Sequence, residues 1–135
     1  MRNRFTVALA ALMILSQAAS LAYSKASPSV TLLPLSGDRV VAVSGASRCD
    51  APAGIDGEPW VETPTIAFEM NAHGTTDVEI DLTSTGLLAH EEIYSSSGNV
   101  WLDEAAMRSA RLTRFTPELA GCRRIAGSYL YVVDF

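Results

Sequence analysis

The sequence contains few of the residues that carry out chemistry in enzymes. Among its 135 residues there are two histidines, His73 and His90, and two cysteines. The segment that opens with His90 begins like a zinc-protease motif, but Tyr94 stands where the second histidine would fall. The serines at 95–97 lack the glycines of a nucleophile elbow, no histidine follows them, and no glycine-rich phosphate loop exists. We therefore expect no enzymatic activity, no metal and no cofactor.

Basic residues are also scarce. The chain has ten lysines and arginines against fifteen aspartates and glutamates. Three of the basic residues precede position 27, so the rest of the chain carries a net charge of about −8. This balance argues against a nucleic-acid partner or a surface of anionic lipid. Five arginines between positions 108 and 124 form a local basic patch, which either docks a carboxylate-bearing partner or balances nearby acidic residues.

Long apolar runs are absent apart from one at the N-terminus. Residues 1–26 combine Arg2 and Arg4 with an apolar run at 5–15 and end in small residues that suit signal peptidase. This run is shorter than the roughly 20 apolar residues of a membrane-spanning helix. We therefore predict a cleaved signal peptide and a periplasmic location. The alternative is an inner-membrane anchor formed by an uncleaved N-terminal segment.

Export would place Cys49 and Cys122 in an oxidising compartment, where pairing is the default. The bridge would enclose about 72 residues, for which loop-closure entropy predicts about 4 kcal/mol of stabilisation. Neither cysteine has a second one at CxxC spacing, so a structural disulfide is favoured over a reactive thiol or a metal ligand.

Composition divides the exported chain at about position 57. Residues 27–57 are predicted to be an N-terminal extension that starts with a Ser/Pro-rich lead-in and contains one strand at 39–44 and a loop. Residues 58–135 are predicted to form the domain itself.

Three strands are predicted inside the domain. Residues 76–82 alternate strictly between apolar and acidic side chains, which is typical of a half-buried antiparallel strand. A second strand at 87–94 needs a bulge near His90–Glu91 to bring its apolar side chains to one face. The last strand is predicted at 129–135.

Two helices complete the predicted domain. Pro64 opens a short helix with Ile66, Ala67 and Met70 at helical spacing, and a longer helix follows at 102–115. The order of the elements predicts an α+β fold, in which a small antiparallel sheet of three or four strands has two helices packed on one face.

The last strand is apolar on both faces and lies at the end of the chain, which favours a position at the sheet edge. An exposed edge accepts an extended peptide as an added strand, so we predict that this strand binds a partner. The alternatives are a central position in the sheet, or an edge covered by a second copy in a homodimer. The residues of the predicted edge are Tyr129, Leu130, Tyr131, Val132 and Val133.

An ordered series of short motifs runs through the second half of the chain. It opens with a proline and an alanine in the first helix and passes through two turn glycines to Ser-Ser-Gly, Leu-Asp and Ala-Ala. It ends with Phe-x-Pro, a glycine and a final strand that closes in phenylalanine. The residues of the series are Pro64, Ala67, Gly74, Gly86, Ser96, Ser97, Gly98, Leu102, Asp103, Ala105, Ala106, Phe115, Pro117, Gly127 and Phe135. This series resembles the C-terminal domain of the TonB energy-transducer family, one branch of which also has cysteines corresponding to Cys49 and Cys122.

The resemblance covers about residues 49–135 and implies the α+β fold described above. It also implies a non-enzymatic role in TonB-dependent energy transduction and transport across the outer membrane. The implied partner is a protein or peptide segment, such as an outer-membrane receptor or a transport component.

Some features depart from the family pattern. Thr63 replaces the tyrosine associated with receptor contacts. Full transducers have a membrane anchor and a long Pro-rich spacer, whereas about 30 residues, at most roughly 100 Å, separate the predicted signal from the matching region. The resemblance therefore implies a stand-alone, signal-bearing variant. The alternative is an unrelated secreted α+β binding or inhibitor domain stapled by one disulfide.

Overall fold

The computed structural model describes residues 27–35 and 49–135. The predicted signal peptide at 1–26 and the predicted strand at 39–44 lie outside these residues. The division of the chain near position 57 stays a prediction.

The described part of the chain contains two helices and eight strands. In chain order they are β1 (Ser29–Pro34), β2 (Gly54–Ile55), α1 (Thr65–Glu69), β3 (Thr75–Leu82), β4 (Leu88–Ser95), α2 (Val100–Leu112), β5 (Phe115–Thr116), β6 (Glu118–Ala120), β7 (Arg123–Ile125) and β8 (Gly127–Asp134). Four of the strands form one antiparallel sheet in the order β1-β8-β3-β4, and β2–β5 and β6–β7 form two small antiparallel pairs. The predicted α+β fold is confirmed.

The pair β3 and β8 forms the centre of the sheet, because each of these strands is paired on both sides. Val78 lies opposite Tyr131 and Ile80 lies opposite Tyr129, and all four side chains are buried. Phe115 packs edge-on against Tyr131, with 5.9 Å between the ring centroids. Each fully buried side chain of this size stabilises the fold by about 1.5–3 kcal/mol, so this pair of strands forms the core.

Helix α2 covers one face of the sheet, and its small side chains allow a close approach. Ala106, Ser109 and Ala110 are buried, and the helix packs against β3, β4 and β8, while α1 packs against α2. Asn99 is the N-cap, and its side chain accepts hydrogen bonds from the N–H groups of the first turn. Neither described helix is long and apolar enough to cross a membrane.

Helix α2 ends at Leu112, three residues before the predicted end. Thr113 leaves the helix in an extended conformation, and its hydroxyl donates to the carbonyl oxygen of Ser109 (2.8 Å) and lies 2.9 Å from the hydroxyl of Tyr131. This change of direction carries Phe115 into β5 and the core. Side-chain contacts with the sheet therefore end the helix before Pro117 can do so.

Helix α1 has only five residues, and its apolar face is only partly as expected. Ala67 is buried, but Ile66 and Met70 are 42% and 62% exposed. Five residues make little more than one turn, so helical spacing over this length says little about which side chains are covered.

Strand β4 is irregular at its ends rather than in its middle. Leu88 pairs with Leu82 and Ile93 pairs with Val78, so both apolar side chains lie on the core side, as predicted. One register shift lies between the pairs Asp81–His90 and Leu82–Leu88, so Ala89 is the extra residue on β4. The bulge predicted near His90–Glu91 therefore lies directly before His90.

Candidate functional site

The last strand, β8, lies inside the sheet and not at its edge. β3 pairs with it on one side, and β1 pairs with it on the other, from Ser29 opposite Asp134 to Pro34 opposite Tyr129. The prediction of an exposed edge at 129–133 is wrong for this chain, and the central position is the one observed. The physical reason is that the Ser/Pro-rich lead-in contains a strand.

Strand β1 packs on β8 through alternate side chains. Val30 lies opposite Val133 and Leu32 lies opposite Tyr131, and both β1 side chains are half-buried against the hydrophobic core. Leu33 projects from the other face and is 46% exposed. The apolar alternation of these β1 residues was the available sequence signal, but it is too short to distinguish a strand from a loop.

The direction of hydrogen bonding alternates along β8. The N–H of Leu35 donates to the carbonyl oxygen of Ser128 (3.3 Å), which marks this opposite pair as hydrogen-bonded. Bonded and non-bonded pairs alternate in an antiparallel ladder, so Leu130 and Val132 direct their main-chain groups toward β1. The residues between them face β3. Phe135 belongs to the same alternate set, because it exchanges two hydrogen bonds with Gly74, the residue before β3 (3.0 and 3.4 Å). One row of main-chain groups on β8 is therefore satisfied only by β1.

The outer side of β1 offers few donors for a further strand. By the same alternation, positions 28, 30, 32 and 34 face away from β8. Pro28 and Pro34 occupy two of these positions and have no N–H group. Only Val30 and Leu32 can donate outward. Prolines placed in this way disfavour the growth of a sheet, so this margin is a poor acceptor of a further strand.

The opposite margin of the sheet, β4, is irregular and charged. His90 and Glu92 are exposed, and register shifts interrupt the ladder near both ends of the strand. Glu91 forms an ion pair with Arg111 of α2. Bulges and charged side chains disfavour the addition of another strand, so this margin is a poor acceptor.

The Ser-Ser-Gly and Leu-Asp motifs meet in one hydrogen-bond cluster around Asp103. Its carboxylate accepts from the hydroxyl of Ser96, from the N–H and hydroxyl of Ser97, and from the hydroxyl of Thr76. Burial by itself raises the pKa of the Asp103 carboxyl, but these hydrogen bonds outweigh it and hold the pKa below its usual range. The cluster ties α2 to β3, and the two serines are donors within it.

Tyr131 connects β8 to the helix beneath it. Its hydroxyl lies 2.7 Å from the hydroxyl of Ser109 and 2.9 Å from that of Thr113, and the whole side chain is buried. Sequence reasoning placed Tyr131 in a partner-binding surface, whereas the structure places its side chain in the core. Recognition along β8 would therefore use main-chain groups and the half-buried side chains of Leu130 and Val132.

Each of the two histidines makes its polar contact with a residue two positions away in its own segment. His73 is exposed, and its Nδ1 lies 3.0 Å from the carbonyl oxygen of Asn71. His90 is also exposed and lies 3.9 Å from Glu92. Within residues 27–35 and 49–135, no group of three or more His, Cys, Asp or Glu residues is arranged to hold a metal ion.

Part of the arginine-rich patch borders a groove of about 520 Å³ between α2 and β4. Ile93 and Met107 supply apolar lining, and Arg108 and Arg111 supply positive charge. Because Arg111 is already paired with Glu91, part of the patch balances acidic residues of the chain itself.

Close packing explains the glycines at positions 86 and 127, and the Phe-x-Pro motif supplies the atoms that lie against Gly86. Gly86 has φ +83°, and a Cβ there would collide with the carbonyl oxygen of Phe115 and lie 3.1 Å from Pro117. A Cβ at Gly127 would lie 2.8 Å from the hydroxyl of Tyr129. The turn after β3 is therefore packed too closely for a side chain, and a side chain at Gly127 would displace the ring of Tyr129.

Comparison with known proteins agrees with this arrangement. Residues 62–135 match the family model described as the Gram-negative bacterial TonB protein C-terminal, a region that includes every element from α1 to β8 and excludes β1. A comparison with curated proteins finds no match. The family match shows that the alternative of an unrelated secreted domain is wrong. Since more than half of the chain lies within the matched region, the chain belongs to the TonB C-terminal family.

Proposed function

We propose that this chain is a non-enzymatic periplasmic module that binds an extended segment of a partner protein by strand addition, in TonB-dependent transport across the outer membrane. Family membership supports a TonB-like role in energy transduction in the periplasm. The disulfide between Cys49 and Cys122 fits an oxidising compartment, as does the predicted signal peptide. Loss of residues 1–26, measured by mass spectrometry of the mature protein, tests the predicted cleavage.

The observation that carries strand addition is the place that β1 occupies. The family-matched residues supply β8, β3 and β4, and in that three-stranded set β8 is one of the two edge strands. A six-residue strand from outside the matched region pairs with β8 in continuous register. The outer side of β8 therefore accepts an extended segment through main-chain hydrogen bonds, which is the binding mode we propose for the partner.

The geometry of this side also indicates the chemistry of the partner segment. A strand added to β8 places every second side chain next to Tyr131 and Val133, where Val30 and Leu32 lie in the free chain. The partner segment is therefore expected to be extended, with apolar side chains at alternate positions. Proline is expected only at positions that face away from β8.

A homodimer through β8 stays a prediction. Both sides of β8 are paired within one chain, so a second copy would reach this strand only by exchanging with β1. Sedimentation of the mature protein over a range of concentrations measures this exchange.

Peptide titration tests the proposed function. Peptides of about ten residues, copied from the N-terminal periplasmic segments of outer-membrane receptors in the same cell, are added to isotopically labelled mature protein. We expect saturable NMR shifts at the amides of Leu130 and Val132, which point toward an added strand. A control peptide with proline at the positions between its apolar residues lacks the N–H groups that face β8 and is expected to leave both amides unchanged. Absence of any saturable shift, in the wild-type chain and in a variant with β1 released, would overturn the proposal.

A further inference from the structure

We propose that β1 is a detachable strand that occupies the partner-binding side of β8 within the same chain, so that its release controls binding. This inference rests on the proposed strand-addition function. The release is local, because β1 leaves while β8, β3 and β4 keep their pairing.

The packing of β1 favours its separation from the rest of the sheet. None of its six residues is buried, whereas four residues of β3 and three of β8 are buried. Val30 and Leu32 are the β1 side chains that pack against the hydrophobic core, and both are only half-buried. Opening β1 therefore exposes much less apolar surface than opening either of the central strands β3 and β8, and local opening follows such differences.

The chain length allows β1 to leave without disturbing the domain. Residues 36–48 connect the described segment that contains β1 to Cys49, and thirteen residues can span at most about 45 Å when extended. Cys49 is held by its disulfide to Cys122, and the next residues are held where Ala51 bridges Leu119. The covalent anchor therefore lies beyond the connecting segment and does not fix β1 itself.

Because of Pro28 and Pro34, β1 and the partner segment compete for the same side of β8. Pro28 and Pro34 leave the outer side of β1 with only two donors, so a partner strand adds there poorly. The favoured site for the partner is the side of β8 that β1 occupies. The apparent affinity for a partner is then reduced by the fraction of molecules in which β1 is released.

Hydrogen exchange measured amide by amide tests whether β1 opens independently. The amides of Leu130 and Val132 face β1, and those of Tyr131 and Val133 face β3. After correction for intrinsic rates, we expect the two β1-facing amides to exchange at least about tenfold faster than their neighbours in the same strand. Equal protection along the strand would show that β1 opens only with the whole sheet, and would overturn the inference.

A proline substitution tests whether release creates a binding site. The side chain of Thr31 is exposed and its N–H faces β8, so Thr31→Pro removes a ladder hydrogen bond without removing a core side chain. The matched control, Thr31→Ala, keeps the N–H group. The probe is a synthetic peptide with the sequence of residues 27–35, SPSVTLLPL.

We expect this peptide to bind Thr31→Pro at least about tenfold more tightly than it binds the wild-type chain or Thr31→Ala. Continued slow exchange of the Tyr131 and Val133 amides shows that the sheet of the variant is folded. Equal affinity for all three chains, with that sheet intact, would overturn the inference.

The receptor peptides separate this inference from the proposed function. Tighter binding of the residue 27–35 peptide by Thr31→Pro, without binding of any receptor peptide, would support the detachable strand and overturn the proposed function. Receptor peptides that bind wild-type and Thr31→Pro equally well would support the proposed function and overturn control by β1.

Discussion

At the scale of single residues, Asp103 shows how a family motif is maintained by hydrogen bonding. Four donors from Thr76, Ser96 and Ser97 converge on its carboxylate. We expect Asp103→Asn to lower the free energy of unfolding at pH 7 by about 1–3 kcal/mol, because the amide group cannot accept all four hydrogen bonds and carries no charge. Urea denaturation measures the loss. Asp56→Asn, which removes an exposed carboxylate, controls for the change in net charge.

The pH dependence of the Asp103 variant follows from the sign of its pKa shift. The pKa of the folded-state carboxyl is lowered, so the contribution of Asp103 is fully present above its ordinary pKa of about 3.9. That contribution is lost as the pH falls below this value and through the lower pKa of the folded state. The difference in stability between wild type and Asp103→Asn is therefore expected to shrink below about pH 4. A difference that stayed constant down to pH 2 would contradict this role of the carboxylate.

Gly86 provides a second test at the scale of residues. Its φ of +83° and the approach of the Phe115 carbonyl both exclude a side chain. We expect Gly86→Ala to destabilise the protein by at least about 2 kcal/mol, the sum of a conformational and a steric contribution. Gly57 has nearly the same φ, +85°, but no atom within 4 Å of a Cβ. Gly57→Ala therefore measures the conformational contribution alone, and equal losses at the two positions would exclude the steric one.

Sequence reasoning identified many residues of the candidate site but misread what they do. Tyr131 and Val133 were assigned to an apolar strand that binds a partner, yet their side chains lie in the core and not on a surface for partners. Asp103 was recognised within a motif, but its donor Thr76 belongs to a strand 27 positions earlier. Such contacts depend on how elements pack, which local periodicity does not contain.

At the scale of elements, β3 could be predicted because its strict alternation is visible within one strand. Strand β1 could not, since its six residues follow one proline, end in another and are stabilised as a strand by pairing with β8. Strand formation depends on neighbours that are distant in sequence, more than helix formation does. The meaning of Pro28 and Pro34 also becomes clear only once the sheet order is known, because that order decides which side they face.

Those two prolines lead to a prediction about β1. Replacing both Pro28 and Pro34 with threonine restores two outward N–H groups and opens the margin of the sheet. We expect the variant to self-associate, with at least about a tenfold tighter monomer–dimer equilibrium in sedimentation experiments. Ser29→Thr adds a similar side chain at a position that faces β8 and is expected to leave the equilibrium unchanged. A fully monomeric double variant would contradict the assigned direction of these positions.

At the scale of the whole molecule, the family could be predicted from the motif series, whereas the sheet order could not. The motif residues form turns and clusters whose requirements are local, such as Gly86 against Phe115 and the serines around Asp103. The order β1-β8-β3-β4 instead brings together the two ends of the described chain. Pairing with β1, which lies outside the family-matched region, thus places β8 inside the sheet instead of at its edge. No motif of the matched region indicates this position.

The disulfide gives the final prediction, because it links Cys49, outside the family-matched region, to Cys122 inside that region. Cys49 and Cys122 are 73 positions apart, with their Cα atoms at 5.1 Å, and a loop of this length is expected to contribute about 4 kcal/mol. That is a large share of the 5–15 kcal/mol typical of small proteins. We expect Cys49→Ala combined with Cys122→Ala to lose about this amount in urea denaturation, and reduced wild-type protein to match the double variant. The backbone at position 122 has φ +63°, a strain that alanine shares with cysteine, so the comparison isolates the bond. A loss below about 1 kcal/mol would mean that the unfolded chain already holds these two regions together without the bond.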